Sequence, residues 1–161
     1  MIDLDIAVAS KGWKALGDAE AVEALARRAV EAALAVIGRP PEELSLSLLL
    51  ADDRAVRALN RGFRGKDKPT NVLSFPASAP PGLPGPRPLG DIALAFETVA
   101  REAESEGKTL ADHARHLIDH GTLHLLGYDH ATDAEAERME ALEVKALARL
   151  GIADPYREAA A

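Results

Sequence analysis

The stretch His120-Gly121-Thr122-Leu123-His124-Leu125-Leu126-Gly127-Tyr128-Asp129-His130 constrains this chain more than any other. His120 and His124 stand four residues apart, so on a helix they project from one face, one above the other. Gly127 adopts positive φ without steric cost and offers the helix a place to stop. The turn through Tyr128 and Asp129 can then bring His130 back toward the first two rings. Three neutral imidazoles on one centre make an open zinc site, with the fourth position left for water. Two histidines at i, i+4 are a weak signal alone. The glycine and the third histidine make the spacing H-x3-H-x5-H specific.

All five histidines of the chain lie between 113 and 130. A cluster of packed or solvated side chains is the competing account of them. His113 and His116 continue roughly the face of His120. They line the approach to the metal, hydrogen-bond its ligands from behind (a role also open to Asp129), or are ordinary surface histidines. Asp129 orients a ligand imidazole, contacts the metal's water, or simply caps the turn. Zinc proteases of similar spacing carry Glu directly after the first His, as general base. Here that position is Gly121. Its absence argues for an electrophile other than a peptide bond.

At 161 residues the chain is about one domain long, 47% apolar but only 4% aromatic. Its core must therefore be built mostly from Leu, Val, Ile and Ala. The lack of cysteine excludes a disulfide framework and a thiolate zinc site. Acids at Asp3 and Asp5 stand where a signal peptide needs positive charge, and no apolar run approaches the ~18 residues of a membrane span. A soluble, cytoplasmic protein is the expectation.

Ile2, Leu4, Ile6 and Val8 alternate with Asp3, Asp5 and Ala7, predicting a first strand with one buried face. Lys11–Lys14 reads as a connection, with Trp13 a packing anchor. Asp18 caps a helix to about Ile37, whose apolar stripe runs through Val22, Leu25, Ala29 and Val30. Leu44–Leu50 alternates and then turns wholly apolar, as an inner strand does when both faces are covered. Asp52 or Asp53 caps a short helix through Val56 and Leu59. Asn71–Phe75 and Gly90–Ala95 predict two further strands, separated by a stiff loop, Pro76–Pro88, that holds six of the ten prolines. Asp91 is either a turn residue or a neighbour of the active cleft. A helix follows from Phe96 or Glu97 to about Ser105, with Val99 and Ala103 inward. Thr109 and Thr132 begin the last two helices as capping residues. Met139, Leu142, Glu143, Ala146, Leu147 and Leu150 mark one side of the final helix, with Glu143 the polar exception. Asp154–Ala161 reads as a tail.

The net charge of −7 does not advertise a polyanion partner. Its distribution does. Between 54 and 68 stand Arg54, Arg57, Arg61, Arg64, Lys66 and Lys68 against the single anion Asp67. A compact basic segment on an acidic protein suits phosphate contact. A solvated helix face is the plainer account, and Gly62 and Gly65 favour the former by letting backbone and Arg64 approach a ligand closely.

Taken together, Asn60–Pro76, Leu89–Ile92 and His113–His130 resemble the YbeY family of single-strand-specific endoribonucleases, in order and spacing over nearly the whole chain. The resemblance implies an α/β (α+β) fold, one domain over 1–161, with a mixed sheet of about four strands and about five helices. It implies one Zn2+ held by the positions of His120, His124 and His130, and a required arginine at Arg64. Arg64 and His124 are thus the residues expected to carry catalysis, and Arg61, Arg64, Lys66 and Lys68 those expected to hold RNA. The implied role is maturation of ribosomal RNA, notably the small-subunit 3′ end, and ribosome quality control. Partners would be the small subunit or its proteins and a ribosome-associated GTPase. Two other functions compete: an RNA-binding assembly module with a structural zinc, and a metal-dependent hydrolase of another bond. The general base is left open, because Gly121 cannot serve and the RNA's own 2′-hydroxyl could attack.

Overall fold

A computed structural model describes residues 2–40, 42–65, 70–78 and 82–156, with Arg64 through its backbone alone. Strand β1 (Asp3–Val8) leads through a 3-10 helix (Lys11–Leu16) to α1 (Ala19–Val36). Then come β2 (Leu44–Ala51), α2 (Asp53–Arg64), β3 (Val72–Pro76), β4 (Arg87–Ala95), α3 (Phe96–Ser105), α4 (Leu110–Leu125) and α5 (Asp133–Arg149). The sheet has the order β1-β2-β4-β3, in which β3 alone runs antiparallel to its neighbour. Four strands and five α-helices match the sequence expectation. The Lys11–Lys14 connection is the exception, being helical.

Local chemistry sets the boundaries. Asp18, Asp52, Thr109 and Thr132 each accept from the backbone N–H three residues on. Each cap satisfies a donor that the first helical turn leaves orphaned. Asp53, the other candidate cap, instead turns to α3, where its carboxylate accepts from the backbone and hydroxyl of Thr98 at 2.9 Å.

The apolar periodicities bury as two layers. Leu44, Leu46, Leu48 and Leu50 of β2 meet Val30 and Leu34 of α1 and Leu117 and Ile118 of α4. On the opposite face Val56 of α2 packs with Ala51, Leu73, Ala93 and Ala95. Trp13 is fully buried, edge-on to Phe96, and donates to the Ala51 carbonyl at 2.8 Å. The anchor role is therefore met with its polar atom satisfied. Strand β1 lies at the sheet edge, so Leu4 and Ile6 are only half-buried and Val8 is exposed.

Strand β4 starts earlier than its apolar run suggests, at Arg87. Ser45 pairs with Pro88 but Ser47 with Asp91, so β4 carries an extra residue there. Gly90 makes this bulge possible: its φ is 140°, and a Cβ would lie 2.2 Å from the Phe75 carbonyl oxygen.

Candidate metal centre

Helix α4 presents the first two histidines and stops where the sequence says it should. Gly127 has φ 99° and donates to His124 O, while Tyr128 donates to Leu123 O. The chain turns at once, and His130 N–H is tied to Asp129 Oδ1 at 2.7 Å. Asp129 thus braces the turn, and its carboxylate lies 3.7 Å from His130 Nδ1. The ring centroids of His120, His124 and His130 lie 4.7 to 5.7 Å apart. One nitrogen from each ring lies within 4.8 Å of the other two. They face a cleft of about 520 Å³ walled by Thr70, Asn71, Val72, Ser74 and Pro76 of the β3 edge.

The donor set fits a divalent ion. Burial, then the neighbouring His120 and His130, lowers the His124 pKa, so the neutral, ligating form is favoured. His120 Nδ1 bonds Glu143 Oε1, which leaves its Nε2 for the cleft. An all-imidazole set without thiolate suits a divalent transition metal such as zinc, copper, iron or nickel.

Glu143 is the residue that pattern reading leaves as an anomaly. It is completely buried on α5, and its second oxygen accepts from the Tyr156 hydroxyl. Burial pushes the carboxyl upward, but hydrogen bonds from His116, His120 and Tyr156 outweigh it and hold the pKa at about 2. The sequence signal was a Glu on an otherwise apolar helix face. Beside it, Asp119 is buried, and neither of its oxygens has a hydrogen-bond partner among the described residues. Burial, reinforced by the Glu143 charge, raises its pKa to about 9.

His113 and His116 are not surface residues. His113 is buried and bonds Glu102 at 2.9 Å, and Glu102 also accepts from Asn71. His116 lies 3.5 Å from Glu143 and 3.3 Å from the Tyr156 hydroxyl. His116 therefore contacts the carboxylate behind His120, while His113 belongs to a separate pair.

Gly121 has a structural reason. A Cβ there would stand 3.0 Å from Ile92 Cδ1 and 3.1 Å from Ser74 Oγ. Helix α4 rides so close to the sheet that any side chain at this position would force Ile92 or Ser74 to shift.

Arg61 is exposed on α2, and the described residues lining the cleft do not include it. Asp91 lies in β4 opposite Phe75, on the strand rather than in a turn, and does not line the cleft. The Arg64 side chain, Lys66 and Lys68 lie outside the described residues. No described helix is long and apolar enough to cross a membrane.

A four-stranded α+β scaffold with three histidines converging at one strand edge defines a candidate metal-dependent hydrolase. The sequence matches the family described as endoribonuclease YbeY over residues 7–151, and the chain belongs to that family. It is 53% identical to endoribonuclease YbeY of Azorhizobium caulinodans, with 96% of each chain covered. It is 51% identical to that of Paramagnetospirillum magneticum, covering 98% of this chain and 97% of the relative. Its fold matches the solution structure of TM1509 from Thermotoga maritima at a TM-score of 0.53 and 24% identity, over 98% of this chain and 100% of the other.

Proposed function

We propose that the protein is a zinc-dependent endoribonuclease, acting through one domain over 1–161 on single-stranded RNA. The observation that carries this reading is the convergence of His120, His124 and His130 beside a wall that begins at Thr70. In the sequence the basic segment ends at Lys68, two residues before Thr70, the first residue of that wall.

A divalent ion held by His120, His124 and His130 would supply Lewis acidity at the cleft. Arg64 pairs with the phosphate and stabilises charge that builds during cleavage. Lys66 and Lys68 hold the neighbouring backbone, with Arg61 contributing at longer range. His124, neutral and half-buried, keeps its lone pair for the ion rather than a proton. Asp129 holds the His130 turn. The attacking group is a water or the RNA's own 2′-hydroxyl, and a 2′,3′-cyclic phosphate product would select the second.

Family membership supports ribosomal RNA as the substrate, with small-subunit 3′-end maturation and ribosome quality control in the cytoplasm. On this reading the partners are the small subunit or its proteins and a ribosome-associated GTPase. The test is cleavage of single-stranded RNA by wild type, Arg64→Ala and His124→Ala, each checked for folding. Loss in both variants is expected. Cleavage that survives both removes the enzyme reading and leaves an RNA-binding module with a structural metal.

A further inference from the structure

Tyr156 falls in what the sequence reads as a tail, yet it is fixed at several points. After α5, Gly151 turns the chain with φ 77°, and Ile152 N–H donates back to Leu147 O. Asp154 Oδ1 then accepts from Tyr156 N–H at 2.8 Å. The tyrosine ring stands edge-on to His116, with centroids 5.6 Å apart and planes at 87°. Although the residue is 44% exposed, its hydroxyl reaches inward to Glu143 Oε2. The other oxygen of that carboxylate takes His120 Nδ1. Both oxygens are thereby used, one toward the C-terminal segment and one toward the histidine cluster.

We propose that Tyr156 and Glu143 are positioning residues for the metal centre, the tyrosine hydroxyl fixing the carboxylate and the carboxylate fixing the His120 ring. The proposal rests on the reading of the three histidines as metal ligands. A carboxylate on the far nitrogen of a ligating imidazole sets its tautomer, locks its ring plane and raises its basicity. Here the carboxylate is fully buried, so water cannot substitute for the donors that hold it. Tyr156 supplies one of those donors from beyond the last helix. The C-terminal segment therefore bears on metal affinity without contacting the ion, and His116, 3.5 Å from the same oxygen, steadies it from the side.

The experiment titrates Zn2+ into metal-free wild type, Glu143→Gln, Tyr156→Phe and His124→Ala against a chromophoric chelator. Thermal unfolding of each metal-free protein is recorded in parallel. Glu143→Gln keeps the shape and can still accept hydrogen bonds, but it removes the charge behind the ring. Its Zn2+ affinity should fall roughly 10- to 100-fold. Tyr156→Phe should fall by roughly 2- to 10-fold, the worth of one hydrogen bond. The metal-free melting temperature of Glu143→Gln should stay at or above that of wild type, because a buried charge is removed without a cavity, whereas Tyr156→Phe should lower it by leaving the buried carboxylate short of one donor. A purely structural role would leave the Zn2+ affinity of both variants unchanged, whatever their melting temperatures. Wild-type affinity in Tyr156→Phe overturns the proposal even if Glu143→Gln fails to fold. Wild-type affinity in His124→Ala overturns the ligand reading beneath it.

Discussion

His113 and His120 lie two turns apart on one helix, and each bonds a glutamate from a neighbouring helix. Glu102 of α3 serves the first, and Glu143 of α5 the second. The pairs differ in what surrounds them. The His113 ring is sealed, with Nδ1 buried and without a hydrogen-bond partner among the described residues. Its glutamate is 37% exposed, so water shares the charge. The His120 ring keeps one nitrogen toward a cleft that two further imidazoles face, and its glutamate has no exposure at all. A histidine–carboxylate pair is thus not itself a metal site. Convergence of other rings on the open nitrogen is what separates a candidate ligand from a packed core residue.

The sharpest way to break this contrast is to remove one ring from each group. His124→Ala should reduce bound metal from one equivalent per chain toward none, whereas His113→Gln should leave it intact. Metal analysis after dialysis against a trace of Zn2+ reads both, and equal losses would erase the distinction. His113→Gln should instead cost about 1–3 kcal/mol of stability by disturbing a buried hydrogen bond, seen as a shifted urea midpoint.

The His120 end also holds two buried carboxyls of opposite state, Glu143 ionised and Asp119 neutral. In the metal-free protein this fixes the sign of a pH effect. Below the unfolded pKa of about 4 both folded and unfolded chains hold the Asp119 proton. Between there and about 9 only the folded chain keeps it, so stability falls as pH rises. The slope is about 1.4 kcal/mol per pH unit and vanishes above the folded pKa. Asp119→Asn should remove that slope. Urea titrations at pH 5 and 8 in the presence of chelator check this, and parallel curves for variant and wild type would refute it.

The smallest expected effect tests the scaffold beneath the second pair. Thr132→Ala should lower stability by about 1 kcal/mol through loss of the α5 cap. Because α5 carries Glu143, Zn2+ affinity should stay at the wild-type level if the helix frays only at its first turn. Thermal melts and a Zn2+ titration together check both halves.

Local rules made much of this legible. Period-2 alternation marked the first two strands, short apolar runs the other two, and capping side chains at Asp18, Asp52 or Asp53, Thr109 and Thr132 marked four helix starts. The histidine cluster was readable because its three members fall within one helix and one turn. Contacts made across the fold were not. Glu143 and His120 are 23 residues apart, and nothing in the α5 stripe says which neighbour meets its one polar member. Tyr156 joins the same cluster only because the chain turns back after Gly151. The 3-10 helix at Lys11–Leu16 is too short for periodicity to declare itself. Gly121 could be seen to lack a base, but only the 3.0 Å approach to Ile92 explains why.

Gly90 ties the cleft wall to the rest of the sheet. Its bulge lets β4 approach β3 at the Phe75 carbonyl, and the β3 edge carries Val72, Ser74 and Pro76 into the cleft. A methyl group added there would press on the Phe75 carbonyl of that wall and on Leu125 of α4, the neighbour of His124. Heat-sensitive alleles of such a gene would thus be sought at this glycine, far in sequence from the residues whose work they disable.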